Sequence, residues 1–231
     1  MSNFASSKSY ILPMVRAQWL DIFEPASGEI NGKRTEPKYK VVALFAPDSE
    51  AAKIAKQGLL EAATNLWGAA NALSVLQNIS ANSKAVRNGN SKIDDSGNVK
   101  PEFKDMLFIS AANKQQPQIV APKKHNGAWV SISKLGRGFV NGLDVTEQLG
   151  YNLVVPYRGS YGNLKVTFVA GKAFKAATGE MIPNQVYAKF EAWQFARDGE
   201  AFGSGPTSAE GFGEEEVETS SGGAASDDPL F

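Results

Sequence analysis

An apolar period of two residues, repeated in several short segments, constrains the fold of this chain more than any other feature. The segment NLKVTFVA places Leu164, Val166, Phe168 and Ala170 on one face of a strand and Lys165 and Thr167 on the other. In VYAKFEAWQF the predicted inward residues are Val186, Ala188, Phe190 and Ala192, and the outward residues are Tyr187, Lys189 and Trp193. In AWVSIS, Val130 and Ile132 face inward and Trp129 faces outward. With YILPMVRAQWL, KYKVVALF and MLFISAAN, the pattern predicts six or more strands.

One segment has a helical period instead. PDSEAAKIAKQGLLEAATNLWGAANALSVL repeats apolar residues at helical spacing and contains Asp48 and Ser49, either of which can cap a first turn. We predict one long helix over about residues 48–77. Gly58 and Gly68 each weaken this helix by about 1 kcal/mol relative to Ala, so we expect both to allow close packing against another element. Many short strands with a single helical insertion indicate a small barrel or sandwich.

Two segments are predicted to lie outside these elements. Residues 78–104 are polar and rich in turn-forming residues, which predicts a long mobile loop. From Asp198 onward the chain is rich in Gly, Ser, Glu and Ala, and it cannot bury enough apolar surface to fold. We therefore divide the chain into a folded domain at residues 1–197 and a disordered acidic tail at residues 198–231.

Charge is distributed unevenly between these two parts. The chain has 24 Lys and Arg residues against 24 Asp and Glu residues, so its formal net charge is zero. Nine acidic residues and no basic ones lie from Asp198 onward, which leaves the first 197 residues with 24 basic and 15 acidic side chains, a net charge of about +9. This asymmetry indicates a basic surface for nucleic acid or a membrane, and an acidic appendage that either keeps away from the same ligand or competes with it.

The residue inventory gives little support to enzyme chemistry. The single histidine, His125, lies beside two lysines in APKKHNGAW, where a solvated side chain is the ordinary outcome. Cysteine is absent, which excludes disulfides, thiolate metal sites and a thiol nucleophile. No apolar run is long enough for a membrane span, and the N-terminus lacks a signal-peptide pattern. We expect a cytoplasmic protein with no catalytic residues, no metal and no cofactor.

Basic and aromatic residues interleave on the predicted outward faces of the strands. Single-stranded nucleic acid favours this mixture because bases stack on exposed rings, each contributing about 1–3 kcal/mol, while Lys and Arg meet the phosphates. The alternative is that these rings belong to the core or to a dimer interface. The candidate binding residues are Arg16, Trp19, Lys38, Tyr39, Lys114, Lys123, Lys124, Trp129, Tyr157, Arg158, Tyr161 and Lys165.

The predicted tail gives the acidic residues a physical role. A flexible chain of its 34 residues spans about 30 Å, which is comparable with the diameter of the domain. Because the tail is tethered, its effective concentration at a basic surface of the same chain reaches the millimolar range. We expect its carboxylates to occupy that surface until a nucleic-acid strand displaces them.

Two parts of the sequence resemble a known family. The last five residues, DDPLF, resemble the Asp-rich, Phe-terminated tip by which bacterial and phage single-stranded DNA-binding proteins recruit replication partners. The segments LKVTFVAG and NQVYAKFEAWQFARDGEAFGSGPTSAEGF resemble the C-terminal strands and tail border of a phage family of such proteins. The similarity extends from about Phe108 to the C-terminus, and the helix after APDS fits the helical insertion of the phage members.

The resemblance implies a mainly β protein with one long helix, built as an OB-fold-type five-stranded barrel with extra strands or hairpins and a helical insertion. It implies a protein that coats single-stranded DNA without sequence specificity during phage replication or recombination, in the cytoplasm of the infected bacterial host. It also implies that a tip of Asp227, Asp228, Pro229, Leu230 and Phe231 docks replication proteins of the polymerase or helicase–primase type. A protein-interaction adaptor and an RNA-binding OB module stay open as alternatives, as do a monomer and a homodimer.

Overall fold

The structure is a computed structural model that describes residues 2–30, 33–175, 179 and 181–202. Its strands are β1 (Phe4–Ala26), β2 (Glu29–Ile30), β3 (Lys33–Arg34), β4 (Lys38–Phe45), β5 (Val86–Asn88), β6 (Leu107–Asn113), β7 (Gln118–His125), β8 (Ala128–Ile132), β9 (Gly138–Val140), β10 (Leu143–Asp144), β11 (Tyr161–Gly171), β12 (Phe174–Lys175), β13 (Met181–Ile182) and β14 (Gln185–Arg197). Its helices are α1 (Glu50–Trp67) and α2 (Ala69–Asn78). The prediction of a mainly β fold is confirmed.

Ten strands form one sheet in the order β10-β9-β8-β7-β14-β11-β1-β4-β6-β5. An additional parallel pairing joins β14 to β6 through Ala188 opposite Ala111 and Lys189 opposite Ala112. The long strand β1 pairs with β11 through Arg16 and with β4 from Arg16 onward, with several register shifts along its length. Each of β1, β4, β6, β14 and β11 is therefore hydrogen bonded to two others of the same five, and β7–β10 extend from β14.

The inner faces of these five strands form the main hydrophobic core. Leu12, Val41, Ile109, Val166 and Phe190 are each fully buried there, and α1 packs across β1 and β11. The period-two pattern predicts this arrangement correctly along β11, where the inward residues of NLKVTFVA are all buried. The burial of Val130 and Ile132 and the exposure of Trp129 on β8 are confirmed as well.

The predicted outward position of Trp193 is wrong. Ala192 pairs with Lys165 and Phe190 pairs with Val166, so Glu191 is an extra residue that has no partner on β11. Such a bulge reverses the alternation for every residue that follows it. Trp193 consequently enters the core with no exposed surface, over Gly162, which has no side chain to fill the same space.

The helical insertion consists of two helices and not of the one long helix that the sequence predicts. Ser49 caps α1 by accepting a hydrogen bond from the Ala52 amide, and Gly68, at φ +80°, separates α1 from α2. Gly58 does allow close packing, because a Cβ atom at this position would lie 2.4 Å from the Phe168 ring. Gly68 instead supplies a left-handed backbone conformation in open space, so the packing explanation fails for it. Neither helix is long and apolar enough to cross a membrane, and the same holds for every helix in the described ranges.

Part of the segment predicted as a loop, residues 78–104, is built into the sheet. Its strand β5 pairs with β6, and 3-10 turns occur at Ala81–Ser83, Gly89–Ser91 and Pro101–Phe103. Phe103 is buried against Leu44 and Phe108 in a second, smaller core on the outer face of β4 and β6. The polar composition concealed this order because a few buried residues anchor the segment. Its mobility stays a prediction.

Candidate functional site

The most basic concave surface of the described residues is a groove where β4, β6 and β14 meet. We call it the lysine groove, and it has a volume of about 790 Å³. Its cations are Lys38, Lys40, Lys114 and Lys189. The aromatic residues Phe4 and Tyr187 also line it, and each is about two-fifths exposed, at 42% and 41%.

Strand alternation and register create this groove. On β4, Val41, Ala43 and Phe45 face the core, so Lys38 and Lys40 face outward. Lys40 lies opposite Ala112 on β6, and Ala112 lies opposite Lys189 on β14. Lys40 on β4 and Lys189 on β14 therefore lie on opposite sides of Ala112 on β6. Ala112 projects only a methyl group, which leaves the space between the two lysines open.

The cationic surface continues beyond the lysine groove onto the segment that precedes β6. Arg87 on β5 lies over the Phe108 ring at 4.6 Å and donates from Nη2 to Ser110 Oγ at 2.9 Å, while its buried Nε has no partner among the described residues. The Lys92 ammonium lies over the same ring at 5.3 Å. Burial, followed by the positive charges of Arg87, Lys100 and Lys40, lowers the pKa of Lys92. Three neighbouring cations thus act on Lys92.

A row of paired residues crosses the same outer face. Adjacent members are cross-strand partners on β14, β11, β1, β4, β6 and β5: Arg197, Tyr161, Arg16, Leu44, Phe108 and Arg87. Strands lie about 4.8 Å apart, so the row extends over roughly 24 Å. The Tyr161 ring lies between two guanidinium groups, at 3.8 Å from Arg197 and 5.8 Å from Arg16. We call these six residues the arginine row.

The first residues of the predicted tail pack on this row. The Arg16 guanidinium donates from Nη2 to the Glu200 carbonyl at 2.6 Å and lies 4.0 Å from the Phe202 ring centre. Phe202 also packs against the small core of Leu44, Phe103 and Phe108. The first residues of the predicted tail, 198–202, therefore have defined contacts, and the boundary at Asp198 stays a prediction. Residues 203–231, which include the predicted docking tip, lie outside the described residues.

Three further predicted residues lie beside the arginine row. The Arg158 guanidinium lies 5.2 Å from the ring of Trp19, whose Nε1–H donates to Asp21 at 2.8 Å. The Tyr157 hydroxyl group contacts Asp198 and Gly199, so its polar end is engaged by the beginning of the tail. Trp19 keeps 42% of its surface exposed and is the ring in this group most available to a ligand.

A separate basic and aromatic pair lies on the β7–β8 hairpin. Lys124 is the cross-strand partner of Trp129, with its ammonium 5.1 Å from the ring, and Lys123 lies 5.8 Å from the Tyr151 ring. This hairpin belongs to the part of the sheet that extends beyond β14. The neighbouring His125 contacts Asn126, and the described residues contain no group of three His, Asp or Glu side chains suited to a metal ion.

The remaining predicted residues have other surroundings. Tyr39 lies on the opposite face of β4 from Lys38 and packs against the main core, as strand alternation requires. Lys165 forms an ion pair with Glu191 at 3.6 Å. Lys114 lines the lysine groove but also forms an ion pair with Glu36, and this hydrogen bond lowers the pKa of Glu36. Lys38 lies in the groove as predicted from its outward position.

Sequence comparison shows to which family the chain belongs. The family model described as Enterobacter phage Enc34, ssDNA-binding protein matches residues 8–221, which is most of the chain. The chain belongs to this phage single-stranded DNA-binding protein family. The predicted resemblance to a phage single-stranded DNA-binding protein family is confirmed. No curated protein sequence matches the chain.

Comparison with solved structures also found similar chains. The single-stranded DNA-binding protein from bacteriophage Enc34 in complex with ssDNA has a TM-score of 0.52 and 16% identity, covering 84% of this chain and 89% of that chain. Another structure of the Enc34 protein has a TM-score of 0.48 and 14% identity, covering 87% of each chain. Bacteriophage T7 gp2.5, a single-stranded DNA binding protein, has a TM-score of 0.41 and 10% identity, covering 90% of this chain and all of that chain.

Sequence reasoning missed several cations of this face. Alternation alone indicates that Lys40, Lys189 and Tyr187 face outward. It does not show that they lie together, because the strands that carry them are far apart in sequence. Arg87 and Lys92 lie in the segment interpreted as a loop. Arg197 faces Tyr161 only because a register shift between Phe195 and Arg197 reverses the alternation. For these last three residues the sequence carries no local signal.

The lowered pKa of Lys92 gives a direct test of the cationic cluster. Replacing a neighbouring positive charge removes repulsion, so Lys100→Gln should raise the pKa of Lys92. NMR titration of ¹³C-dimethylated lysines measures this, and Lys92 should titrate below the exposed lysines of the same protein. The matched charge change Lys123→Gln, on the β7–β8 hairpin, should leave Lys92 unaffected. Equal shifts in both variants would contradict the cluster.

Proposed function

We propose that this protein binds single-stranded DNA along the outer face of β4, β6 and β14, without sequence preference and without catalysis, and coats exposed strands during phage DNA replication or recombination. One observation carries the proposal: the lysine groove and the arginine row share the outer faces of the same strands. Membership in a single-stranded DNA-binding family supports the choice of ligand.

The chemistry of the face suits a flexible polyanion with aromatic bases. Lysines provide point charges that follow phosphates without demanding one geometry, which permits binding regardless of sequence. Exposed rings at Phe4, Tyr187 and Trp19 offer stacking surfaces, and every base has a face that can stack. The Arg87 guanidinium, which lies over the Phe108 ring and donates to Ser110, adds a positive charge to the same face.

We further propose that β1, β4, β6, β11 and β14 form an OB-type barrel. The order in which these strands pair and the parallel contact of β14 with β6 support it. OB folds bind oligonucleotides on the face of their second and third strands. In this chain those are β4 and β6, the strands that carry most of the lysine groove. The extra strands β7–β10 and helices α1 and α2 would then be insertions between barrel strands.

The salt dependence of DNA affinity distinguishes binding at the lysine groove from binding at the β7–β8 hairpin. For single strands, each phosphate contact contributes about −0.7 to the slope of log affinity against log salt, so four or five contacts give about −3. The double substitution Lys40→Gln, Lys189→Gln should reduce the slope by about 1.4 and weaken binding about 25-fold at 0.1 M salt. Fluorescence titration with poly-dT measures both quantities.

The controls for this titration use lysines elsewhere on the domain. Lys134→Gln removes an exposed lysine that pairs with Glu24 at 2.8 Å, and it should leave the slope unchanged. A loss of slope in the hairpin variant Lys124→Gln, with none in the groove variant, would transfer the binding surface to β7–β8. A flat salt curve for the native protein would remove the electrostatic basis of the proposal.

We also propose that the tail screens this face and recruits replication proteins through its tip. Arg16 contacts Glu200 and Phe202, so the tail begins beside the arginine row. The acidic residues of the tail are therefore attached next to these cations. The run Glu214–Glu216 with Glu218 adds four carboxylates within reach of the lysine groove. A bound DNA strand would displace these carboxylates.

Removing the acidic tail should strengthen DNA binding. A chain that ends at Gly213 lacks the acidic run and the tip but keeps the tail residues that contact Arg16. It should bind poly-dT more tightly than the full chain at low salt, and the difference should shrink at high salt because screening weakens both interactions. Equal or weaker binding by the shortened chain would contradict competition between tail and DNA.

A further inference from the structure

An apolar pocket between α1 and α2 has no part in the proposed DNA-binding face. We call it the helix pocket, and it has a volume of about 500 Å³, within the range of ordinary ligand pockets. Its apolar lining includes Leu59, Leu60, Leu73, Leu76, Val86 and Leu107. Leu60 and Leu73 are 42% and 58% exposed, a large exposure for leucines that lie side by side.

The rim of the helix pocket is basic. Lys53, Lys56 and Lys84 lie along its edge, and no acidic side chain lines it among the described residues. Glu50 lies 3.7 Å from Lys53, but this exposed pair leaves Lys56 and Lys84 uncompensated by any ion pair in the described ranges. An apolar floor with a cationic rim fits a ligand that ends in large apolar groups and carries two or three negative charges.

The last five residues of the chain have this chemistry. Pro229, Leu230 and Phe231 supply an apolar segment, while Asp227 and Asp228 supply two negative charges that face the three lysines of the rim. Apolar burial would provide most of the binding energy, and the charges would orient the segment. We propose that the helix pocket is the docking site for the C-terminal tip of the same chain.

The path between tail and pocket is short enough for this contact. Phe202, the last described residue, packs against Phe108 on the outer face of β6, and the neighbouring Leu107 lines the helix pocket from the other face. Only the edge of the sheet at β5 separates the two positions. A coil of the 25 residues from Phe202 to Asp227 spans about 25–30 Å, more than the roughly 10 Å between packed layers.

Docking in the helix pocket assigns the two acidic parts of the tail to different surfaces. The tip occupies the pocket, and the run at residues 214–218 is free to lie over the lysine groove. The tip would then be held away from other proteins while it is docked, and partner recruitment would require its release. The contact itself involves no DNA, so it stands or fails independently of the proposed function.

Paramagnetic relaxation enhancement on the full-length chain tests the docking. The native sequence has no cysteine, so a nitroxide attached through Ser226→Cys reports on the tip alone. The amide signals of Leu59, Leu73 and Leu76 should lose intensity, and reduction of the label should restore it. The second change Leu73→Glu places a negative charge on an exposed position in the pocket and should abolish the loss.

The matched control is Leu135→Glu, which adds the same charge at a leucine that is 85% exposed and lies outside the pocket. It should preserve the intensity loss at Leu73. Loss centred on Lys40 and Lys189, or spread evenly over the domain, would overturn the proposal. Equal loss in a mixture in which the nitroxide and the isotope enrichment are on separate chains would assign the pocket to the tip of a second copy and overturn docking within one chain.

Discussion

The parallel pairing of β14 with β6 is the contact on which the rest of the structure depends. It joins the last strand to a strand about eighty residues earlier in the chain, through Ala188 with Ala111 and Lys189 with Ala112. The alanines on the inner face are buried and permit close approach, while Lys189 on the outer face is brought next to Lys40 across Ala112. One register therefore determines both the closure of the core and the position of the lysine groove.

Local sequence patterns predicted the strands well and their partners poorly. Alternation identified the inner residues of β11 and β8, because the period of two follows directly from strand geometry. It failed at Trp193, where the extra residue Glu191 reverses the pattern, and at Gly68, whose left-handed backbone conformation divides the helix. The bulge depends on strand pairing and the helix break on the backbone conformation of Gly68, so the period alone shows neither.

The candidate site shows the same contrast between residues that local patterns predict and residues that they miss. Lys38, Lys114, Arg16 and Tyr161 were found from interleaved basic and aromatic residues, and all four lie on the cationic outer face. Arg87 and Lys92 were missed because the segment that contains them looks like a loop, although the burial of Phe103 and the pairing of β5 help to order it. Tyr39 was included because it lies between two lysines in sequence, although neighbours on a strand point to opposite faces.

The cationic outer face and the apolar helix pocket lie on the two sides of the β5–β6 edge, and the start of the tail is fixed beside that edge at Phe202. This arrangement allows a single acidic chain to interact with both surfaces. The two surfaces favour different ligands, because the lysine groove offers positive charges and aromatic rings while the helix pocket offers an apolar cavity.

Mapping of amide chemical shifts during titration with a short dT oligomer tests the central claim most directly. The account predicts that the largest shifts fall on the outer face, at Lys40, Ser110, Ala112, Tyr187 and Lys189. Shifts confined to the β7–β8 hairpin around Lys124 and Trp129, with the outer face of β4 and β6 unchanged, would contradict it.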